Sequence, residues 1–142
     1  MYKCEYVGID LLDSTSNNSN TKPDFFAFGE ELPFRNNIFD FVTCYSVVPY
    51  VKNIDKFFDE MFRVMMPNSI AVIIIMNLRG LALQPQTHFE NRFNSKQLQK
   101  KLKEHGFKSI KFRNLKTFFY STYFDLTSVY AYAIVTPEKG NE

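Results

Sequence analysis

Glycine is scarce in this chain and poorly placed for one common task. The five glycines stand at positions 8, 29, 80, 106 and 140, and none are spaced as a GxGxG ligand-binding loop. Cysteine is scarcer still. Cys4 and Cys44 each lie inside an apolar run, far from CxxC metal or redox spacing, so no metal site is expected and a reduced, intracellular protein is the natural inference. An excess of charge of one sign is also missing: 17 basic residues against 15 acidic ones leave a net +2. That balance argues for neither a nucleic-acid nor a membrane-surface partner. Lys96, Lys100, Lys101, Lys103 and Lys108 form the one local excess, and they read as a solvated face. Long hydrophobic runs are absent. The longest, residues 70–76, falls well short of the roughly 20 residues of a membrane span, and the start MYKCEYVGID lacks a charged-then-apolar leader profile. A soluble, cytoplasmic protein is expected. Ser, His and Asp occur, but in no GxSxG setting, so a hydrolase is not indicated.

What is present suffices for a core. Hydrophobic residues make up 45% of the chain, 16 of them phenylalanine, and residues 1–142 are expected to form a single domain with a buried sheet. Residues 6–12 (YVGIDLL) predict a short parallel strand that ends at an acidic residue, and the polar stretch 13–24 predicts a loop. A second strand is expected over 25–28. Turns follow through GEELPFRNN, and then a third strand over 39–46 (FDFVTCYS). Asn53 is placed to cap a helix running to about Met65 and stopped by Pro67, since Ile54, Phe57, Phe58, Met61, Phe62 and Met65 recur on one face. Residues 70–76 (IAVIIIM) are apolar at every position, which predicts a central strand buried on both faces, Ile73 and Ile74 alike, and makes the class α/β. Ser95 is expected to cap a second helix carrying Leu98 and Leu102, with Gly106 ending it in the left-handed conformation. Strands at 108–112 and 129–135 follow, separated by the aromatic segment 118–124, and are expected to pair antiparallel.

Motifs narrow this pattern. GEELPFRNNIFDFV followed by EMFRVMMPNS resembles the signature of class I S-adenosylmethionine (SAM)-dependent methyltransferases of the type 11 group: an acidic LPF turn, FDxV, then ExxRVLKPGG. The matching parts are Glu30 to Phe34, Phe39 to Val42, and Glu60, Arg63, Val64 and Pro67; GID at Gly8 to Asp10 and the late Gly106-Phe107 pair extend the likeness over about residues 6–135. Each piece is common alone, whereas their order and spacing are specific. The resemblance implies a Rossmann-like methyltransferase sheet with an antiparallel last strand pair, SAM as cofactor, and methyl transfer to a small-molecule acceptor. It also implies cofactor contacts at Asp10, Leu11, Phe28, Gly29, Cys44 and Tyr45. Asp10 carries a physical rationale as well, because a carboxylate at the carboxyl end of a parallel strand faces the ligand crevice and can accept two hydrogen bonds from a ribose diol. A helix cap or loop solvator is the plainer role for it.

The departures are as informative. Members of the group open with a strand and a glycine-rich turn that cradles the methionine part of the cofactor, and nothing before Tyr6 corresponds. The expected sheet is therefore incomplete at its N-terminal side, lacking the strand that belongs between those of residues 6–12 and 39–46. Such a gap closes by rearrangement with direct pairing of the two neighbours, by a strand from another molecule in a homo- or hetero-oligomer, or by sequence missing from a shortened or split enzyme. Phe28 stands where the group has an aspartate for the adenine amino group, and phenylalanine can only pack on the ring. PGG has become PNS at Pro67 to Ser69. A non-catalytic, methyltransferase-like subunit that pairs with a partner chain is the alternative these departures suggest. No catalytic residue is assigned: His88 reads as an exposed loop histidine, although a base there is conceivable, His105 as a partner of its helix C-terminus, and Glu60 with Arg63 as a surface pair worth about 0.2 to 0.5 kcal/mol.

Overall fold

The computed structural model describes residues 4–11, 23–76, 88–115 and 130–137. The polar stretch 13–24 and the aromatic segment 118–124 lie largely or wholly outside them. In chain order the elements are β1 (Ile9–Asp10), β2 (Phe25–Phe26), β3 (Phe39–Tyr45), a 3-10 turn (Val48–Tyr50), α1 (Ile54–Val64), β4 (Met65–Met76), α2 (Ser95–Glu104), β5 (Phe107–Leu115) and β6 (Tyr130–Pro137). They form two sheets. β1 and β2 pair in parallel, while β3, β4, β6 and β5 lie side by side in that order. β3 and β4 are parallel, and β6 is antiparallel to both β4 and β5, as expected for the last strand pair.

The core sits on one face of the larger sheet. Phe57, Phe58 and Met61 of α1 and Leu98 and Leu102 of α2 meet Ala71, Ile73 and Ile75 of β4, with Cys44 and Phe107 alongside. The three-four spacing of the α1 residues makes this possible, since it puts them on a single stripe. The strand of residues 70–76 is accordingly buried on that face alone, which corrects the expectation of burial on both. Ile73 is fully buried, Val72 and Ile74 are half-buried, and Ile70 is 39% exposed. The register explains the pattern: Phe41, Thr43 and Tyr45 of β3 align with Ile70, Val72 and Ile74, so these side chains share the face opposite the helices. Among the described residues no helix covers it.

Helix ends show where local chemistry and topology compete. Asn53 caps α1 through a bond accepted from the Lys56 N–H at 3.0 Å. The helix stops at Val64 and not at Pro67, because the backbone N–H groups of Asn37 and Ile38 donate to the carbonyls of Arg63 and Val64 (3.0 and 2.9 Å), drawing the chain directly into β4. Residues 66–69 then bulge out of the ladder between the Phe39–Met65 and Phe41–Ile70 pairs. Asn68 takes φ +60° there, in the left-handed region that asparagine enters at lower cost than other residues with a side chain, so the PNS departure preserves the turn. The cap of α2 is Asn94 and not Ser95. Its side chain accepts from Gln97 N, and Gln97 Oε1 accepts from Asn94 N, both at 2.9 Å, a reciprocal box that a serine one residue later cannot make. Gly106 ends α2 at φ +87°, as its position predicted.

The N-terminal strand is shorter than residues 6–12 suggested. Only Ile9 and Asp10 are extended in a ladder, and Tyr6 is 79% exposed, because β2 is the sole strand beside them among the described residues. Direct pairing of β1 with β3 does not occur. An aromatic link stands in its place: Phe34 of the LPF turn meets Phe25 of β2 and Phe39 of β3 edge-on, with ring centroids 5.7 and 5.0 Å away.

Candidate functional site

Ligands of open α/β sheets bind beyond the carboxyl ends of parallel strands, here the ends of β1 to β4. At the end of β1, Asp10 is exposed, and its Oδ1 accepts from the Leu11 N–H at 2.7 Å. The Asp10 carbonyl accepts from Ala27 N at 3.1 Å, and the ladder pairs Asp10 with Phe26, so Phe28 follows two residues on at the same end of the sheet. Phe28 is 62% exposed, with its ring free to present a flat apolar surface. Gly29 follows because nothing larger fits: a Cβ there would lie 2.4 Å from the Phe57 ring. Four of the six cofactor-contact candidates thus gather at the end of the smaller sheet.

The other two candidates stand at the end of β3. Tyr45 is 63% exposed on the face away from the helices. Cys44 points the other way, into the core, where burial pushes its thiol up to about 12 against hydrogen bonds from the backbone of Val47 and Val48. The candidate site exists in two halves, one on each sheet.

Sequence reading missed what holds these halves in place. Arg63 is no surface partner: its side chain is 29% exposed and that of Glu60 18%. Nε and Nη2 donate to the two Glu60 oxygens at 2.6 and 2.7 Å. Nη1 donates to Phe34 O and Asn36 Oδ1 (2.7 and 2.8 Å), and Nη2 also to Leu32 O at 3.0 Å. Glu60 Oε2 in turn accepts from Leu32 N at 2.8 Å. The Arg63 fork holds the Glu60 carboxyl below its usual range, with the Leu32 N–H adding to the effect. Nothing in the i, i+3 spacing signals the carbonyls that arrive from 30 residues away. Asn91 was missed too. Its Nδ2 donates to Val48 O and Val51 O (3.1 and 2.6 Å), and Glu90 N and Asn91 N reach Pro49 O, which staples the segment after β4 to the turn after β3.

The histidines do not enter the site. His88 is exposed and lies 3.4 Å from the Glu90 carboxylate. His105 meets its own helix end through its backbone N–H, which donates to Leu102 O at 3.2 Å, while its side chain bridges to α1, with Nδ1 2.6 Å from Asp59 Oδ1 and Nε2 2.9 Å from Asp55 Oδ1. Lys101 shares Asp55 at 2.6 Å and is the main cause of its lowered pKa. Among the described residues, no group of three or more His, Cys, Asp or Glu could hold a metal ion, and no helix is long and apolar enough to cross a membrane.

With this geometry in hand, comparison with known proteins is specific. The family model of a methyltransferase domain matches residues 1–73. No curated protein sequence matches the chain. Among solved structures it is similar to a SAM-dependent methyltransferase from Thermotoga maritima, a possible histamine N-methyltransferase, at 14% identity and TM-score 0.67 over 80% of this chain and 63% of that one. A putative methyltransferase of Haloferax volcanii, solved in complex with the Trm112 methyltransferase activator, aligns at 10% identity and TM-score 0.71 over 84% and 65%. Phosphoethanolamine N-methyltransferase 2 of Haemonchus contortus, solved with S-adenosyl-L-methionine, aligns at 14% identity and TM-score 0.61 over 80% and 36%. The chain spans less than two thirds of the length of each of these structures.

Proposed function

The chain belongs to the methyltransferase-domain family, in its type 11 group, and from that premise we propose that it carries the nucleoside-holding part of an enzyme that transfers a methyl group from SAM to a small-molecule acceptor. The observation that carries the reading is the shared placement of Asp10 and Phe28 at the carboxyl end of a parallel pair: an exposed carboxylate at the last ladder position of β1, and an exposed ring two residues past its ladder partner Phe26, the two chemistries that a ribose diol and an adenine face require. Asp10 has one oxygen engaged by its own backbone neighbour and the other available. Leu11 and Gly29 would complete the floor of that half, and Tyr45, with the backbone of Cys44, would face it from β3.

The residues present fit the nucleoside end of SAM and not the amino-acid end, for which residues 1–142 contain no glycine turn. When bound, SAM supplies an electrophilic methyl on a sulfonium. The part of this chain is to hold and orient the nucleoside, and orientation alone accounts for much of the rate in such a displacement. The strand that belongs between β1 and β3 is, in this reading, supplied from outside residues 1–142. The acceptor is a small molecule, and the setting reduced and cytoplasmic.

Calorimetric titration tests the proposal. S-adenosylhomocysteine and adenosine should bind the isolated chain with similar affinities, both weaker than micromolar, because only the nucleoside half has partners. Asp10→Ala should remove the binding. If neither probe binds at millimolar concentration, the nucleoside reading is wrong and the chain acts as a non-catalytic subunit. Micromolar binding of S-adenosylhomocysteine, with adenosine far weaker, would show a methionine cradle that this reading denies.

A further inference from the structure

We infer that Arg63 is a positioning residue: with Glu60 it locks the 29–36 turn to α1 and so sets where the β1–β2 half of the site stands relative to the main sheet. The inference rests on the observation that, among the described residues, no ladder joins the two sheets. Something else must hold the smaller one in register. Each of the five N–H groups of the guanidinium has an acceptor at 2.6 to 3.0 Å, two on Glu60 and three on the turn. Leu32 is gripped on both sides, its carbonyl by Arg63 and its N–H by Glu60. The grip passes outward through short links. Phe34, whose carbonyl Arg63 holds, wedges its ring between Phe25 and Phe39. On the other side Glu31 N donates to Phe28 O at 3.0 Å, and Gly29 rests on Phe57, which lies one turn before Glu60 on α1.

A planar fork suits this task and an ammonium does not, because carbonyls at Leu32 and Phe34 and the Glu60 carboxylate must be met in one plane from fixed directions. Arg63→Lys keeps the charge and the attraction to Glu60, yet it should fail to hold the turn. The role depends on the reading proposed above only in its last step, the effect on the nucleoside.

Hydrogen exchange of the full chain, read by NMR beside nucleoside titration, separates the possibilities. In Arg63→Lys and Arg63→Met the amides of Leu32, Asp24, Phe25 and Ala27 should exchange at least about tenfold faster, as expected when a local unit opens. Ser46 N–H, bonded to Ile74 O in the main sheet, and Leu98 N–H in α2 should keep wild-type rates. The dissociation constant for adenosine should rise by a similar factor. Lys101→Met, which removes an ion pair from the other end of α1, should change neither region. Unchanged exchange at residues 24–32 in both Arg63 variants would overturn the inference, as would equal acceleration of Ser46 and Leu98, which would mark Arg63 as a general stabiliser. If adenosine fails to bind even the wild type, the proposed function falls while exchange still judges the clamp.

Discussion

Two neighbouring isoleucines of β4 offer a direct test of the one-sided core. Ile73 faces α1 and α2 and is fully buried, whereas Ile74 faces the opposite side and is half-buried. Truncation to alanine removes the same three carbons from each, so local chemistry and strand propensity cancel in the comparison. At Ile73 the lost transfer energy is about 2.4 kcal/mol at roughly 0.8 kcal/mol per methylene. A cavity term adds to this, because Phe58, Leu98 and Leu102 are fixed around the site, and the total falls at about 2 to 5 kcal/mol. At Ile74 part of the side chain already meets solvent and no closed cavity forms, so about 1 to 1.5 kcal/mol is expected. Urea unfolding followed by far-UV circular dichroism measures both; in a thermal melt each kcal/mol corresponds to about 3 to 4 °C for a domain of this size. Equal losses would refute the reasoning. They would mean that the face carrying Phe41, Tyr45 and Ile70 is covered in solution, and a rise in the cost of Ile74→Ala on adding a candidate partner would locate that cover.

Glu60 has a folded-state pKa lowered first by Arg63, so its contribution is fully present above the unfolded carboxylate value and is lost as pH falls through the lower folded one. Glu60→Gln should therefore be less stable at neutral pH and show a flatter decline below about pH 4.5 in acid melts; an unchanged acid limb would exclude the clamp from the titration. Gly29→Ala forces a methyl to 2.4 Å from a ring that is itself buried, and an equilibrium unfolding curve should record a loss of about 1 to 3 kcal/mol. A neutral result would show that Phe57 can move aside. Alkylation by iodoacetamide near pH 8 should modify exposed Cys4 readily and spare Cys44 until the chain unfolds, given burial and a thiol pushed up to about 12. Rapid loss of both thiols by mass spectrometry would contradict the packing of the β3 end.

Periodicity and local chemistry were enough to read the helices, the long strands and the family from the sequence alone. The apolar stripe of α1, the Asn53 cap, the left-handed Gly106 and the antiparallel final pair all follow from forces acting within a few residues or from patterns that each element repeats. The order of LPF, FDxV and ExxR identified the type 11 group, and the position of Asp10 after an apolar run placed it at a strand end. What the tertiary structure alone decided was partnership across distance. A run such as IAVIIIM reports that it can be buried, not how many faces will be, since that depends on where both helices land. The i, i+3 spacing of Glu60 and Arg63 cannot reveal that Leu32, Phe34 and Asn36 bring their oxygens to the same guanidinium, nor can the position of His105 reveal Asp55 and Asp59 across the helix layer. Those contacts exist because the fold carries separate segments into reach. Cys44 shows the same division within one residue: its place at the end of β3 was legible, but the face its thiol takes was set by the register of β3 on β4 and the helices packed behind them.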